Sequence, residues 1–263
     1  MARKKRTSSA VEHPLAPTIM TELGALKAAP QPAGDFAPGG NWTGRFRIWT
    51  CYGHRDSGNH DAGELHIDRK LDGGAQRLAV RQTLRNSQGK LHTIRAAVSC
   101  GLDALASPTA WTLRSEFSGS HVDGLPPLAV EQAGCIRGNT WQITAGGRKT
   151  ECRAPLPLTA DWCLFEAVQR MDFRAAAPVK FHVLEGLSVL KEDHRLSYRG
   201  KIPVTWGPEK LELHCFSQVG RGVYPYEYWL DDRHRLLLVT TGPRTYILET
   251  GAAGPAARGG TAR

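Results

Sequence analysis

The stretch Trp111-Thr-Leu-Arg-Ser-Glu-Phe117 shows which class of fold the chain adopts. Its odd-numbered positions carry Trp, Leu, Ser and Phe, and its even-numbered positions carry Thr, Arg and Glu. Because successive side chains of a β-strand point to opposite faces of a sheet, this period of two predicts a strand with one buried face and one solvated face. The same alternation recurs at Leu78, Val80, Gln82 and Leu84. We therefore expect an antiparallel sheet with its core on one side.

Short runs of this kind fill most of the chain between residues 41 and 250. They are rich in β-branched and aromatic residues, and each is closed by Gly, Pro, Asn or Asp. The pairs Gly138-Asn139 and Gly146-Gly147 suit the positive backbone angles of tight hairpin turns. The pattern predicts about twelve to fourteen strands that follow one another as a meander.

One helix is expected near the middle of the chain, after Thr159 as N-cap and with Asp161 in its first turn. Its apolar stripe would consist of Leu164, Phe165, Val168 and Met171. Many strands, one helix and no alternating β–α order exclude Rossmann and TIM arrangements, and the lack of a fixed-period repeat argues against a propeller. The predicted fold class is mainly β: an antiparallel meander that forms a curved sheet, half-barrel or barrel with one helix near the middle and disordered termini.

Composition divides the chain into three parts. Residues 1–40 are rich in Ala, Pro, Gly and Ser and predict a disordered N-terminal arm, with at most a transient helix over Thr18–Ala28. Residues 41–250 are expected to form a single β-rich domain, and residues 251–263 a disordered tail. No run approaches the roughly 18 consecutive apolar residues of a membrane-spanning helix, so no transmembrane segment is expected.

The net charge of +9 lies partly in the basic run Arg3–Arg6. A short basic terminus supports weak, salt-sensitive and nonspecific contact with nucleic acid or an anionic surface, and no more. The segment that follows is interrupted by His13, Pro14 and Pro17, so it lacks the apolar run of a secretory signal. We therefore expect a cytoplasmic protein, or an exported one if the start site is misassigned.

Six cysteines are spread along the chain without a C-x-x-C pair, which argues against zinc-ribbon and thioredoxin-like sites. Buried, reduced thiols are the simplest interpretation. Cys135 and Cys152 lie on segments that could be neighbours in the meander, so an oxidising compartment would allow a disulfide between them.

Standard catalytic motifs are absent from the sequence. It contains no P-loop, no H-E-x-x-H, no G-x-S-x-G and no dinucleotide glycine pattern in a strand–helix context, so a noncatalytic protein is favoured over an enzyme and no cofactor is expected. The densest polar cluster is the Gly-rich loop from residue 52 to 61, where His54, His60 and Asp61 are candidate ligands of a divalent metal; a solvated hairpin loop is the simpler interpretation. Asp231-Asp232-Arg233-His234 has the composition of an acid/base cluster, but lies between two apolar strands where a polar turn is needed.

The run Tyr228–Val239, YWLDDRHRLLLV, resembles the aromatic-strand, Asp-turn and apolar-strand hairpin of bacterial lipoprotein-localisation-factor-like β half-barrels. The order of a long meander with a helix near its middle is also similar to that superfamily. The resemblance implies a curved sheet whose concave side cradles a lipid, and it transfers no individual binding residue.

Three functional hypotheses follow. The first is a noncatalytic binding protein whose curved sheet holds a lipid-like or other apolar ligand, or a segment of a partner protein. The residues expected to line its concave face are Phe46, Ile48, Trp111, Leu113 and Tyr226. The second is a structural or interaction protein with a filled core that docks through a sheet edge or the basic N-terminal arm. The third is a metal-dependent enzyme that uses the loop from His54 to Asp61.

Overall fold

The computed structural model describes residues 14–31, 35–51, 59–85, 89–118 and 128–249. Within these ranges, fifteen strands form one sheet. The strands are β1 (Trp42–Cys51), β2 (Asn59–Asp72), β3 (Ala75–Arg85), β4 (Leu91–Cys100), β5 (Pro108–Phe117), β6 (Leu128–Arg137), β7 (Thr140–Ala145), β8 (Arg148–Arg153), β9 (Leu158–Ala160), β10 (Val179–Glu185), β11 (Val189–Trp206), β12 (Glu209–Val219), β13 (Tyr226–Leu230), β14 (Leu236–Thr241) and β15 (Arg244–Leu248). The helices are α1 (Pro17–Gly24) and α2 (Asp161–Ala167), with a 3-10 turn at Val168–Arg170 after α2.

Strand β1 joins the two halves of the sheet. It pairs antiparallel with β2 on one side and with β15 on the other, so the start and end of the strand sequence meet, for example where Ile48 lies opposite Tyr246. From β1 the order runs through β2 to the edge strand β8, and from β15 down to the edge strand β9. The two edges do not pair with each other in the part of the chain that the structure describes, so the curved sheet stays open. The predicted mainly β meander with a helix near its middle is confirmed.

Helix α2 lies on one face of the sheet, which we call the concave face. The Phe165 ring contacts three inward-facing rings edge-on, with centroid distances of 5.6 Å to Phe46, 5.4 Å to Tyr246 and 6.2 Å to Tyr228. These partners belong to β1, β15 and β13, which are neighbours or near neighbours in the sheet. The helix is therefore packed over the seam between the two halves.

The start of α2 differs from the expectation. Its N-cap is Ala160, not Thr159, because the Thr159 hydroxyl instead donates a hydrogen bond to the carbonyl oxygen of Leu105 at 2.7 Å. The helix is also buried all round from Trp162 to Ala167 and has no solvated stripe. A short helix with this pattern is stabilised by packing against its surroundings and not by its own propensity.

A buried ion cluster fixes the other end of α2. The Glu166 side chain is fully buried, and its carboxylate lies 2.9 Å from Arg69 Nε on β2 and 2.5 Å from Arg170 Nε in the 3-10 turn. Gln76 on β3 donates to the same carboxylate at 3.3 Å and accepts from Arg69 Nε at 2.6 Å. Arg170 also donates to the Asp103 carbonyl oxygen at 2.8 Å, in the loop between β4 and β5. The cluster ties the helix to one half of the sheet through satisfied hydrogen bonds.

Helix α1 precedes the sheet and packs against its hydrophobic core. Leu15, Ile19 and Leu23 are buried in the same hydrophobic core as the sheet; Ile19 and Leu23 lie one turn apart on α1, and Leu15 directly precedes its N-cap. The Gly207 N–H in the β11–β12 turn donates to the Leu23 carbonyl oxygen at 2.8 Å. Gly207 has φ of +56°, and a Cβ there would lie 2.4 Å from the Leu26 carbonyl oxygen, so only glycine allows this close approach. These residues are packed, whereas residues 1–13, including Arg3–Arg6, and residues 250–263 lie outside the described ranges.

A disulfide between Cys135 and Cys152, which the sequence left open for an oxidising compartment, does not fit the sheet. Cys135 on β6 lies opposite Gln142 of β7, whereas Cys152 on β8 lies opposite Trp141. The two thiols are therefore on opposite faces of the sheet and are separated by a strand, so no disulfide can join them.

No helix within the described ranges is long and apolar enough to cross a lipid bilayer.

We expect Arg69→Met to lower the free energy of unfolding by about 3 kcal/mol, because it leaves the buried Glu166 carboxylate with an incomplete set of partners. The matched control is Arg114→Met, which removes an exposed arginine that pairs with Glu116 and Glu131. That change should cost about 1 kcal/mol or less. Urea unfolding followed by tryptophan fluorescence measures both values. Equal losses for the two variants would contradict the structural importance of the cluster.

Candidate functional site

A cavity of about 400 Å³ lies between α2 and the concave face. One wall comes from strands β3 to β6, whose inward-facing residues lie side by side in two rows across the sheet. These residues are Gln82, Ile94, Ser115 and Val130 in one row and Leu113 and Gln132 in the next. The period-two pattern of each strand is the reason that all six side chains face the helix.

The opposite wall is aromatic. Trp162 and Phe165 of α2 face the cavity together with Tyr226 of β13 and Tyr246 of β15. Burial raises the pKa of both tyrosine hydroxyls, so these groups stay neutral. A neutral tyrosine offers a large apolar ring and one hydrogen-bonding group, which suits a ligand with both kinds of surface.

Asp161 is the charged group of the cavity wall whose pKa is raised. It is the first residue of α2, and its carboxylate accepts hydrogen bonds from the N–H groups of Trp162 at 3.0 Å and Gly186 at 3.1 Å. Removal from water raises the pKa of Asp161 to about 6, and nearby Glu185 adds to the rise, while the two N–H groups act in the opposite direction. A carboxyl group held in this state at a cavity wall is a common feature of binding and catalytic sites.

One end of this cavity carries charged residues, and a second cavity adjoins it there. A cavity of about 480 Å³ shares Glu185, Tyr226 and Arg244 with the first and also contains Tyr224, which is 65% exposed. Glu185 is partly neutralised by Lys191, whose Nζ lies 3.6 Å away. Groups of both charge signs therefore lie where the two cavities meet.

One serine of the cavity wall has a basic partner. Ser115 Oγ lies 2.8 Å from Nε2 of His92 on β4. Burial and nearby Arg244 lower the pKa of His92, which favours a neutral imidazole. The described contacts of His92 include no carboxylate that would orient the ring, as the acid of a hydrolytic triad does. The pair is therefore interpreted as a polar contact of the wall.

Only two of the five residues predicted to line the ligand site face this cavity, namely Leu113 and Tyr226. Phe46 and Ile48 are buried in the hydrophobic core, where Phe46 packs directly against Phe165. Trp111 is also buried, and its ring covers Gly134, where a Cβ would lie 2.2 Å from the ring atoms. The three residues belong to the hydrophobic core and do not line this cavity.

The predicted metal ligands receive no support from the described residues. His54 lies outside the described ranges, His60 pairs with Thr50 in the sheet, and Asp61 is an exposed residue opposite Trp49. Among the described residues, no three His, Cys, Asp or Glu side chains are close enough to hold a metal ion.

The segment Asp231–His234 forms the expected polar turn. The His234 N–H donates to the Asp231 carbonyl oxygen at 3.0 Å, and the Asp231 carboxylate accepts from the N–H groups of Arg233 and Arg235. The turn thus satisfies its own backbone through an aspartate, as is common for turns of this composition.

The neighbouring Asp232 belongs to a polar chain that the sequence pattern does not indicate. His214 Nε2 lies 2.9 Å from the Asp232 carboxylate, and Tyr198 Oη lies 2.6 Å from His214 Nδ1. Burial raises the pKa of Tyr198, and the Lys201 ammonium lowers that of Asp232. The tyrosine therefore remains protonated and is a poor base or nucleophile.

Phe173 closes this polar chain. Its ring is sandwiched between the imidazoles of His214 and His234, with centroid distances of 3.5 Å and 3.9 Å and nearly parallel planes. The segment that carries Phe173 runs from the 3-10 turn to β10. The stack anchors this segment at two places, namely His214 on β12 and His234 in the turn before β14. Phe173 covers one face of each imidazole ring. We therefore interpret the cluster as a structural contact that holds this segment in place.

A depression of about 900 Å³ lies mainly on the other face of β4 to β7. Its floor consists of small outward-facing residues such as Ala97, Thr112 and Ala133, and Arg114 and Glu131 pair with each other at its side. It has no buried polar group that would select a ligand, so the cavity beside α2 is the stronger candidate.

Comparison with known proteins gives the fold and no activity. No family model matches the chain, and no curated protein matches it. Among solved structures, a β-barrel-like protein of the domain of unknown function DUF1849 from Brucella abortus is similar, with a TM-score of 0.53 and 7% sequence identity, over 80% of this chain and 96% of that chain. The match supports the β-barrel-like part of the predicted resemblance; it does not support the lipoprotein-localisation-factor family in particular.

The raised pKa of Asp161 predicts a pH dependence of stability. An ordinary aspartate loses its proton near pH 3.8, whereas Asp161 loses it near pH 6 in the folded protein. Between these values the folded state binds more protons than the unfolded state, so this group makes the free energy of unfolding fall as the pH rises and then has a constant effect above about pH 6. The fall attributable to Asp161 is about 3 kcal/mol at most.

The measurement is urea unfolding of the natural protein and of Asp161→Asn between about pH 4 and about pH 7. The stability of the natural protein relative to Asp161→Asn should decrease across this window. Asp172→Asn is the control, because a hydrogen bond from Arg174 lowers the pKa of that exposed carboxyl group. If the stability of the natural protein relative to Asp161→Asn stays constant or rises as the pH increases, the assignment is contradicted.

Proposed function

We propose that the protein is a noncatalytic binding protein that holds one amphipathic molecule in the cavity beside α2. The observation that carries this proposal is the cavity of about 400 Å³ between the helix and the sheet. That volume falls within the range of about 300–1,000 Å³ typical of small-molecule sites. The open space beside α2 favours this function over the alternative of an interaction protein with a filled core.

The apolar part of the ligand would lie against Ile94, Leu113 and Phe165. Strands β4 and β5 and the buried helix α2 hold these side chains in place, so the site is formed before the ligand arrives. A preformed site avoids the loss of conformational freedom that a mobile site suffers on binding. The favourable term is the removal of apolar ligand surface from water, roughly 25 cal/mol for each Å².

The polar part of the ligand would lie at the charged end. Arg244 offers a cation there, whereas Asp161 and Glu185 offer carboxylates, and the Tyr226 hydroxyl offers a hydrogen bond. A head group that carries both charge signs, or several hydroxyl groups, matches this set better than a group with one charge. We therefore infer that the ligand is a single-chain amphiphile with a zwitterionic or hydroxyl-bearing head.

The test uses Leu113→Trp, which fills the cavity, and Thr112→Trp as its matched control on the opposite face of the same strand. Binding is measured with N-phenyl-1-naphthylamine, a neutral apolar dye that becomes fluorescent in an apolar site. We expect dye affinity to fall at least about tenfold for Leu113→Trp and to stay unchanged for Thr112→Trp.

A third variant guards against misfolding, because overpacking a core position is itself destabilising. Val130→Trp changes a residue of the cavity wall that is 44% exposed, so it leaves the core intact. It should also weaken dye binding while circular dichroism stays as in the natural protein. Unchanged dye affinity in both cavity variants would contradict the proposed site.

A further inference from the structure

Two buried cysteines meet where α2 crosses the sheet. The Sγ atoms of Cys100, the last residue of β4, and Cys163 in α2 are 3.6 Å apart. Both residues are 0% exposed. They are far apart in the sequence, and each belongs to a separate, well-packed element, so only the fold brings the two thiols together.

The distance is compatible with a covalent bond after a small movement. The sulfur atoms of a disulfide are about 2.05 Å apart, so an approach of about 1.5 Å is needed. The other described cysteines lack such a partner: Cys135 and Cys152 point to opposite faces, and Cys215 is buried on β12 with no thiol among its described contacts. Among the five cysteines whose side chains the structure describes, Cys100 and Cys163 therefore form the single close thiol pair.

We propose that Cys100 and Cys163 are a redox modification site, at which a reversible disulfide fastens helix α2 to strand β4. The oxidant is a small-molecule disulfide. One cysteine thiolate attacks it and forms a mixed disulfide, releasing the first thiol; the second cysteine then displaces the other thiol and closes the Cys100–Cys163 bond. Both cysteines lose their protons, and the two electrons reduce the oxidant to two thiols.

Burial controls when this reaction takes place. Both thiols are shielded from a dissolved oxidant, and the hydrogen bond with Cys100 and the loss of solvent raise the pKa of the Cys163 thiol well above its usual range, which disfavours its thiolate. The first attack therefore occurs during folding or when α2 opens locally. Once formed, the bond is protected from exchange by the same burial.

The cross-link acts on the wall of the ligand cavity. Helix α2 carries Trp162 and Phe165, which face that cavity, on the same short segment as Cys163. In the reduced protein the helix is held by packing and by the Glu166 cluster, and in the oxidised protein it is held by a covalent bond as well. This consequence rests on the proposed function, whereas the existence of the disulfide does not.

The experiment is to unfold the full chain in urea and refold it in a buffer of reduced and oxidised glutathione. Remaining thiols are then alkylated, and the products are analysed by intact mass and by peptide mapping. We expect the loss of two hydrogen atoms, a cross-linked peptide pair that contains Cys100 and Cys163, and full reversal by dithiothreitol. Folded protein exposed to oxidised glutathione without urea should form the same bond much more slowly.

Cys163→Ser should abolish the cross-link, and Cys215→Ser, which removes a single buried thiol, should leave it intact. A refolded natural protein with no cross-link, or with one that joins other cysteines, would overturn the proposal. Dye binding by the oxidised and reduced forms is a separate readout. If the bond forms and neither form binds the dye, the ligand proposal fails and the redox site stands.

Discussion

The Glu166 carboxylate, buried between Arg69 and Arg170, is the constraint on which the position of α2 depends. A buried charge is strongly destabilising unless it is paired and hydrogen-bonded. Because one partner lies on β2 and the other in the turn directly after α2, the pairing fixes both the depth and the direction of the helix on the sheet. A helix of seven residues has too little intrinsic stability to choose that position by itself.

The two ends of α2 thus lie in different surroundings. Around Glu166 the helix is bound tightly to β2 and β3 through charged side chains, whereas its first residue, Asp161, faces a cavity, and its carboxylate is held by backbone N–H groups. The raised pKa of Asp161 means that its charged form lowers stability at neutral pH. Stability is thus lost at the cavity wall, and the strongly bound Glu166 end of α2 offsets that loss. This is the pattern expected of a binding site on a rigid scaffold.

Local patterns in the sequence predicted the sheet, because strand alternation and turn residues depend on neighbours along the chain. The inward face of β5 was identifiable in this way, and Leu113 with it. The pattern could not show that packed neighbours cover Phe46 and Trp111, because that depends on contacts between distant segments. The same limit applies to the Arg69–Glu166 pair, to the Cys100–Cys163 pair and to Phe173 between two histidines. A transient helix was expected over Thr18–Ala28, but the Pro- and Gly-rich composition around it gave no sign that Leu15, Ile19 and Leu23 are packed in the core of the sheet.

The most direct test of the account is native mass spectrometry of the purified full-length protein, followed by denaturing extraction. If the cavity beside α2 holds an amphipathic molecule, the natural protein should carry an added mass that is lost on denaturation, and Leu113→Trp should lack it. A bare mass for the natural protein, purified without detergent from cells and unchanged by incubation with zwitterionic single-chain amphiphiles, would contradict the account.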